Sequence, residues 1–525
     1  MSRCTCWVAS AALSGCSLWY ADLPAAQCAS NADCEALAEG SVCDIEQRVC
    51  LAPSLDLSLT ADNPAACHEL SGVTAAECPG CAERFSSDCT CLAGAWDDPD
   101  ALVVGVIAPE TFGSLDGQTL QIPYVARWQK SLTLALEEWR SELPDGVLPR
   151  SRRPLALLHC NSHDDRFRAR RAMQHLVNLG SVPVVITLTD NDTNTVRPQS
   201  LRDGLTLICA SCFSDPRQGS LDPSSVWQVA PALFDQAELA VARAVELAPP
   251  DVASPPTLVT LSQEYPGIDT YVSEIVRRVQ QQNGYRQVSV QSPDPRAQTV
   301  SQLDVAQAVV DARPEVIVVG MDSDFTTYYL PLIESRWPAD APRPAYVLSY
   351  MNQELGLLSG PVGSDDELRH RISGVGWWPG PEAAINRSRL EERFLARYRE
   401  AVEQTQFGYD AFYAAAYALA WADARMPLDG AGAALGLEHL RQGPRVDAAP
   451  ESIRSALVQL QSGDDVDLVG SSGALDWDAA THATASDVSL WCLVRDADGR
   501  LALRPSAGPI WNAMTGEISG AYACP

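Results

Sequence analysis

Polar side chains that could hold a small molecule follow several apolar runs of the sequence. After the run 182–188 come hydroxyl and amide groups on Thr189, Asn191 and Thr193, and later runs are followed by Asp322 and Asn352. In open α/β sheets ligands bind beyond the carboxyl ends of strands. Hydroxyls, amides and free backbone N–H groups at 187–195 could hold a carboxylate, although two acids there would repel it. A solvated turn rich in Asx and Thr is the alternative. The Asp322 carboxylate could pair with the ammonium group of a ligand, or it could cap a helix.

Other chemistry is poorly supported. His159, Cys160, His163 and Asp164 are metal-type residues, but a predicted strand end does not place them on one face. The sequence has no Gly-x-Ser-x-Gly elbow, no Walker loop and no His-Glu-x-x-His motif. No acid–base pair or nucleophile stands out. We therefore expect a protein that is not an enzyme and that needs neither cofactor nor metal.

The elements predicted around these residues alternate between strand and helix. A continuous apolar run at 101–108 is typical of a strand buried on both faces. A first set of strands and helices covers 101–210 and a second set covers 257–350, with a long helical region after 378. Strand, helix, strand at these spacings predicts parallel βαβ units. The fold class is therefore α/β, with two doubly wound parallel-sheet lobes.

The N-terminal segment predicts export. Arg3 precedes a short apolar run that is too short to span a bilayer, and Leu13-Ser-Gly-Cys16 follows. This tetrapeptide resembles the lipobox of bacterial lipoproteins. The resemblance implies a signal peptide at 1–15 and lipid attachment at Cys16. Fourteen of the seventeen cysteines would remain in the body of the chain, an even number that favours disulfides.

Residues 16–100 are predicted to form a separate module stapled by disulfides, because few large apolar residues separate its cysteines. The pattern from Cys28 to Cys50 resembles small Cys-rich repeats of exported myxobacterial proteins. Zinc is the competing interpretation for Cys78, Cys81, Cys89 and Cys91. Farther along, Cys209 and Cys212 follow a strand and not a helix start, so we predict a structural disulfide there, with Cys160 as a possible partner.

The formal charge is −29. Nucleic acid binding needs a basic surface, so nucleic acid is not an expected partner. The charge also argues against an electrostatic grip on anionic lipid. Contact with a membrane is therefore expected only through the lipid anchor.

An ordered set of motifs resembles the type I periplasmic binding proteins, in the branch that handles branched-chain amino acids. The motifs are Val104-Gly-Val-Ile-Ala-Pro109, Ala135-Leu-Glu-Glu138, Thr260-Leu-Ser-Gln-Glu-Tyr265-Pro-Gly267, Tyr409-Asp-Ala-Phe-Tyr413 and Val469-Gly-Ser-Ser-Gly-Ala-Leu-Asp-Trp477. They occur in the family's order across 101–490. The resemblance implies two lobes, joined by a hinge, that close over a ligand in the cleft between them. It also makes Ser211, Ser214 and Tyr265 candidate ligand contacts. The family's serine and Gly-Pro-like start are missing at 187–195.

The resemblance implies a binding domain over 101–525. We expect lobe 1 at about 101–230 and 372–435, and lobe 2 at about 231–371 and 436–525. The expected function is capture of a small polar solute, such as an amino acid, at the cell envelope (periplasm or outer membrane) for an ABC permease. An envelope sensor and a surface interaction protein with a degenerate cleft are the alternatives.

Overall fold

The structure is a computed structural model. It describes residues 42–44, 49–51, 84–86, 88–96, 98–113, 119–121, 123–143, 147–214, 225–263, 267–292, 302–353, 355–363, 365–378, 380–400, 405–513 and 515–524. The chain divides into two compact units, Met1–Ala61 and Asp62–Pro525. In the first unit, strands β1 (Val42–Asp44) and β2 (Val49–Leu51) pair antiparallel, with Cys43 opposite Cys50.

The second unit begins with a six-stranded sheet. Its strands are β3 (Cys89–Gly94), β4 (Leu102–Ala108), β7 (Leu155–Asn161), β8 (Val184–Thr187), β9 (Thr206–Cys209) and β10 (Trp227–Gln228). A short hairpin, β5 (Thr111–Gly113) and β6 (Thr119–Gln121), follows β4. The sheet order is β10-β9-β8-β4-β7-β3, and only the β3–β7 pair is antiparallel. All seven residues of β4 are buried, which confirms the strand predicted to be covered on both faces.

Helices alternate with these strands. They are α1 (Pro123–Glu142), α2 (Arg166–Asn178) and α3 (Asp190–Asp203). On α1 the predicted apolar side is buried, including Trp128, Leu132 and Trp139. Helix α3 begins at Asp190, so the segment predicted as a loop after β8 is the first turn of a helix.

A second, eight-stranded sheet forms the other lobe. Its strands are β11 (Thr257–Gln263), β12 (Arg286–Ser292), β13 (Val316–Gly320), β14 (Ala345–Leu348), β15 (Ile372–Trp378), β18 (Asp487–Arg495), β19 (Leu501–Trp511) and β20 (Ile518–Ser519). The order is β12-β11-β13-β14-β15-β18-β19-β20, parallel from β12 to β15 and antiparallel from β15 to β20. Its helices are α4 (Ala237–Leu247), α5 (Ile268–Gln281), α6 (Gln302–Ala312), α7 (Leu330–Arg336), α8 (Leu355–Val362) and α9 (Asp366–Arg371).

After β15 the chain returns to the first lobe. This part contains α10 (Gly380–Tyr398), α11 (Gln406–Arg425), α12 (Gly430–Glu438), β16 (Arg445–Asp447), α13 (Ile453–Ser462) and β17 (Asp467–Val469). Helix α11 is buried along nearly its whole length and packs against α1, α12 and α13. Two α/β lobes built on separate sheets confirm the predicted fold class.

The lobe boundaries differ from those expected. Residues 372–378 were assigned to lobe 1, but β15 lies within the second sheet, where it pairs in parallel with β14 and antiparallel with β18. At Gly374 a Cβ would lie 2.2 Å from the indole of Trp491, so only glycine admits that close packing. Residues 436–469 were assigned to lobe 2, but α13 and β17 lie on the first lobe, where α13 packs on α11.

The expected C-terminal boundary of the module at 16–100 is also too late in the chain. Strand β3 begins at Cys89 and belongs to the first sheet, where Cys89 lies opposite Cys160 on β7 and forms a disulfide with it. Both cysteines are buried, so this bond fastens the sheet edge inside the first lobe. Cys492 and Cys524 form a further disulfide, which ties β18 to the C-terminal segment.

Candidate ligand site between the lobes

The carboxyl ends of the two parallel sheets face each other. Phe213 follows β9 in the first lobe, and Tyr350 follows β14 in the second; their ring centroids lie 6.1 Å apart. Gly267, after β11, has a φ of 84°, and a Cβ on it would lie 2.8 Å from the backbone carbon of Phe213. A residue other than glycine would be strained and crowded there. The segment after β9 is thus in direct contact with the second lobe.

Four aromatic side chains form an aromatic junction between the lobes: Phe213, Tyr350, Trp377 and Phe407. The Phe213 and Trp377 rings stack at 5.5 Å, and the Tyr350 and Trp377 centroids are 4.1 Å apart. Phe407, at the start of α11, packs within 6.5 Å of the other three. All four are buried. Trp377 therefore packs in the interior, next to the point where the chain crosses from β15 back to the first lobe.

The three polar residues predicted after β8 direct their groups into the first lobe. Thr189 caps α3: its hydroxyl accepts from the Asp192 N–H at 3.2 Å and donates to the Asp192 carboxylate at 3.1 Å. Thr193 donates to the Thr189 carbonyl at 2.7 Å, and the Asn191 amide donates to Asp164 at 3.3 Å. Thr189 therefore caps the helix, and the polar groups of Thr193 and Asn191 are bound by oxygen atoms of the protein itself.

Asp190, which we had expected only to repel a carboxylate, connects the ends of β8 and β9. Its buried carboxylate accepts hydrogen bonds from the backbone N–H groups of Phe213 and Ser214, at 2.8 and 3.1 Å, and from the Ser214 hydroxyl. Burial raises the pKa of Asp190 to about 6, although these hydrogen bonds favour the charged form. The donors at this strand end are thus occupied by the protein's own carboxylate.

Ser211 and Ser214 lie on this same segment but differ in their surroundings. The Ser214 hydroxyl is bound to Asp190, whereas the Ser211 hydroxyl is buried and has no hydrogen-bond partner among the described residues. Cys209 and Cys212 form a disulfide with each other, so the predicted structural disulfide is present. Cys160 is not its partner, because Cys160 pairs with Cys89 across the β3–β7 edge.

In the second lobe, Asp322 and Asn352 come together. The Asn352 amide donates to the backbone carbonyl of Asp322 at 2.7 Å, and the Gln263 amide donates to the Asp322 carboxylate at 3.2 Å. Burial raises the pKa of Asp322. Burial, and then repulsion by Asp322, raise the pKa of Asp324 to about 7. Tyr265, predicted to contact a ligand, lies outside the described residues.

The sequence analysis missed three buried glutamines around the aromatic junction. Gln236 accepts from the Tyr350 N–H at 3.1 Å, Gln406 donates to the Tyr350 hydroxyl at 3.1 Å, and Gln228 donates to the Ser214 carbonyl at 3.1 Å. Each keeps one amide atom without a partner in the described part of the chain: Oε1 of Gln228 and Gln406, and Nε2 of Gln236. The indole Nε1 of Trp377 also has no hydrogen-bond partner among the described residues. Glutamine carries no sequence signal for such a position, because it is ordinary on surfaces.

Buried polar atoms without partners are uncommon in native proteins, and a group of them requires an explanation. Here they surround the contact between two lobes and alternate with aromatic rings. Apolar walls with a few convergent polar groups are the usual composition of a small-molecule site. This arrangement can bind and orient a solute, and it contains no evident nucleophile with a base.

Metal chemistry has little support in the described residues. No group of three or more His, Cys, Asp or Glu side chains there could hold a metal ion. His159 lies beside Glu110, with Nδ1 and Oε1 3.2 Å apart, and burial lowers the pKa of His159. Cys89 and Cys91, named in the zinc alternative, are both disulfide-bonded. Cys78, Cys81 and Cys16 lie outside the described residues.

Two α/β lobes, connected by three crossings near 229–236, 378–380 and 470–487 and facing each other through their strand ends, define the type I periplasmic-binding-protein fold. The chain has this fold.

Comparisons with solved structures agree with this assignment of the fold. The leucine-binding protein LivK of Thermotoga maritima is 13% identical, with a TM-score of 0.54 over 77% of this chain and 98% of that one. An ABC-transporter solute-binding protein of Rhodopseudomonas palustris BisB5, in complex with 3,4-dihydroxybenzoic acid, is 14% identical, with a TM-score of 0.56 over 79% and 98%. LivJ of Streptococcus pneumoniae, in complex with isoleucine, is 13% identical, with a TM-score of 0.54 over 77% and 99%. No family model and no curated protein matches the chain. At these identities the likeness establishes the fold alone.

None of the helices described here combines the length and the apolar character needed to cross a bilayer.

Proposed function

We propose that this protein is an extracytoplasmic solute-binding protein that captures a small polar ligand between its lobes and delivers it to an ABC importer. The observation that carries the proposal is the group of buried polar atoms without partners on Ser211, Gln228, Gln236, Trp377 and Gln406. They belong to both lobes and flank the aromatic junction. A guest that makes these hydrogen bonds would favour the closed pair of lobes over any open arrangement.

Export and anchoring are part of the same proposal. Three disulfides in the described residues, at Cys89–Cys160, Cys209–Cys212 and Cys492–Cys524, suit an oxidising compartment. We infer that Cys16 carries the lipid and holds the binding domain at the envelope membrane. Radiolabelled palmitate should enter the wild-type protein in a bacterial host and should be lost in Cys16→Ala. Incorporation that persists in that variant would exclude Cys16 as the attachment site.

A screen of solutes by thermal unfolding tests ligand binding, because a ligand that binds only the folded state raises the midpoint. A solute at one hundred times its Kd stabilises the protein by about 2.7 kcal/mol. The screen should contain amino acids, amines, aromatic acids and sugars, each at millimolar concentration. At least one solute should raise the midpoint by several degrees.

Two serine variants make the test specific to the cleft. Ser211→Ala removes a buried hydroxyl that has no described partner, so the unliganded protein should keep its stability while the ligand-induced shift falls. Ser200→Ala is the matched control, because the buried Ser200 hydroxyl donates to the Arg197 carbonyl at 2.9 Å. It should cost about 1 kcal/mol and leave the ligand shift unchanged. If no solute in the panel shifts the wild type, the proposed function is wrong.

One observation favours a second candidate, a surface interaction protein with a degenerate cleft. The aromatic junction already closes part of the contact between the lobes, and Asp190 occupies the donors at the end of β9. A cleft filled by the protein's own groups would need no solute. This candidate predicts a flat response across the whole screen. An envelope sensor would respond to solutes as a transport protein does, and deletion of a neighbouring permease gene would distinguish the two.

A further inference from the structure

Two carboxylates lie together where β13 ends. Asp322 is partly buried, and its oxygens accept hydrogen bonds from the Gln263 amide at 3.2 Å and from the Asp324 N–H at 2.9 Å. Within the described ranges neither Asp322 nor Asp324 forms an ion pair with Lys, Arg or His. Carboxylates in such surroundings are costly without a positive partner. The raised pKa of each acid expresses the same cost.

The neighbouring polar group also lacks a donor. Gln263 is buried, and its Nε2 is directed to Asp322, which places the amide within this acid pair. Its Oε1 atom has no partner in the part of the chain that is described. The site thus offers carboxylate oxygens and an amide oxygen, all acceptors. A group with several N–H donors and a positive charge satisfies all of them.

Among the described residues at the end of β9, the donors that would suit an anion are already occupied. Backbone N–H groups at the end of β9 would suit a ligand carboxylate, but those of Phe213 and Ser214 already bind the Asp190 carboxylate, as does the Ser214 hydroxyl. A second carboxylate would have to displace Asp190 and would be repelled by it. The formal charge of −29 adds a long-range field that attracts cations and repels anions.

We propose that the ligand of the cleft is an organic cation without a carboxylate, an amine or amidine whose N–H groups bind Asp322, Asp324 and Gln263. The proposal rests on the proposed function and names its ligand class. It differs from the expectation of an amino acid, because the negative end of an amino acid finds no free anchor at the end of β9. Neutral amide and indole groups around the aromatic junction are left to contact the remainder of the molecule.

The test compares two sets of compounds, and the members of each set share one side chain and differ in their amino and carboxylate groups. 3-Methylbutylamine, 4-methylpentanoate and leucine form one set, and 2-phenylethylamine, 3-phenylpropanoate and phenylalanine form the other. Thermal unfolding and titration calorimetry are measured with the full-length protein. In at least one set the amine should bind at least tenfold more tightly than the amino acid, and the carboxylic acid should not bind. Equal or tighter binding of the amino acid or the acid overturns the proposal.

Asp324→Asn supplies the residue-level test, since the Asp324 carboxylate accepts no hydrogen bond from the described residues and the substitution therefore breaks none. It should weaken amine binding at least tenfold and raise the unfolding midpoint of the free protein at pH 8, because it removes like-charge repulsion. Asp311→Asn, on the exposed side of α6 in the same lobe, is the matched control and should change neither value. A lowered midpoint with unchanged amine binding overturns the proposal.

Failure of the ligand class can be distinguished from failure of the function. A midpoint shift produced only by carboxylates, sugars or amino acids overturns the cationic ligand but leaves solute binding intact. No shift with any solute in the full panel overturns both.

Discussion

The phenyl ring of Phe213 lies almost parallel to the indole of Trp377, with 5.5 Å between centroids and 20° between planes. Phe213 follows β9 of the first sheet, and Trp377 belongs to β15 of the second. The stack therefore joins the two lobes directly. Aromatic pairs of this kind contribute about 0.5–1.5 kcal/mol beyond the area they bury.

The first prediction concerns this stack. Phe213→Ala should lower the free energy of unfolding by about 3–5 kcal/mol, because it leaves a cavity among Tyr350, Trp377 and Phe407. Urea denaturation followed by tryptophan fluorescence measures the loss. Tyr328→Ala is the control, since Tyr328 is 46% exposed and should change stability by less than about 1 kcal/mol. Equal losses in both variants would mean that Phe213 does not hold the lobes together.

The second prediction concerns the pH dependence of Asp190. Burial raises its pKa from the ordinary 3.8 to about 6. The stability that comes from its protonated form is therefore complete below about pH 3.8 and is lost as the pH rises through about 6. Asp190→Asn stays neutral throughout. The unfolding free energy of this variant minus that of the wild type should increase by about 2.4 kcal/mol between pH 4 and pH 7.

Urea denaturation at several pH values gives this difference directly. Asp311→Asn, at an exposed side chain, is again the control for the substitution itself. A difference for Asp190→Asn that is constant or decreases with pH would show that hydrogen bonds from Phe213 and Ser214 outweigh the cost of burial.

The sequence predicted the fold because its strongest signals are local. Continuous apolar runs such as 102–108 and 316–319 can be covered only inside a sheet with helices on both faces, and they are buried as expected. The lobe boundaries were harder to predict from the sequence. Strand β15 contains two glycines and follows a short helix, so its place in the second sheet depends on packing under Trp491, which is 117 positions away from Gly374.

The candidate site was only partly predictable for the same reason. The positions of strand ends identified Asp322 and Asn352 as candidates, and the family resemblance identified Ser211. Their roles as ligand contacts stay predictions. Neither argument identified the aromatic junction, because Phe213 meets Trp377 across the two lobes and meets Phe407 only after the chain has returned to the first lobe. Asp190 was read as a repelling charge, since its hydrogen bonds to Phe213 and Ser214 join two strand ends that the sequence does not show to be adjacent.

The third prediction compares how much two disulfides contribute to the free energy of unfolding. Cys89 and Cys160 are 71 positions apart, whereas Cys209 and Cys212 are three apart. Loop-closure entropy then predicts losses of about 4 kcal/mol for the double serine variant of the first pair and about 2 kcal/mol for that of the second. Urea denaturation of the two variants measures both losses. A larger loss for the Cys209–Cys212 pair would show that this bond acts mainly by holding the segment that carries Phe213.

The last prediction compares two adjacent glutamates on α1 that pair with arginines on α10. Glu138 is buried; it binds Arg393 at 2.7 Å and also accepts from the hydroxyls of Tyr409 and Tyr413. Glu137 binds Arg397 at 2.9 Å, but both partners are at least 40% exposed. Removing one partner of a buried pair leaves an uncompensated charge, so Glu138→Ala should cost about 3–5 kcal/mol.

Glu137→Ala should cost no more than about 1 kcal/mol, because solvent screens the exposed pair and its side chains lose entropy in forming it. Urea denaturation at 0.05 and 0.5 M salt separates the two cases, since added salt should reduce only the small contribution of Glu137. Burial raises the pKa of Glu138, while Arg393 and both tyrosines favour its charged form. If Glu138→Gln is as stable as the wild type at pH 7, the network holds the protonated acid, and the large cost of Glu138→Ala then comes from the lost hydrogen bonds to Tyr409 and Tyr413 rather than from an unpaired Arg393.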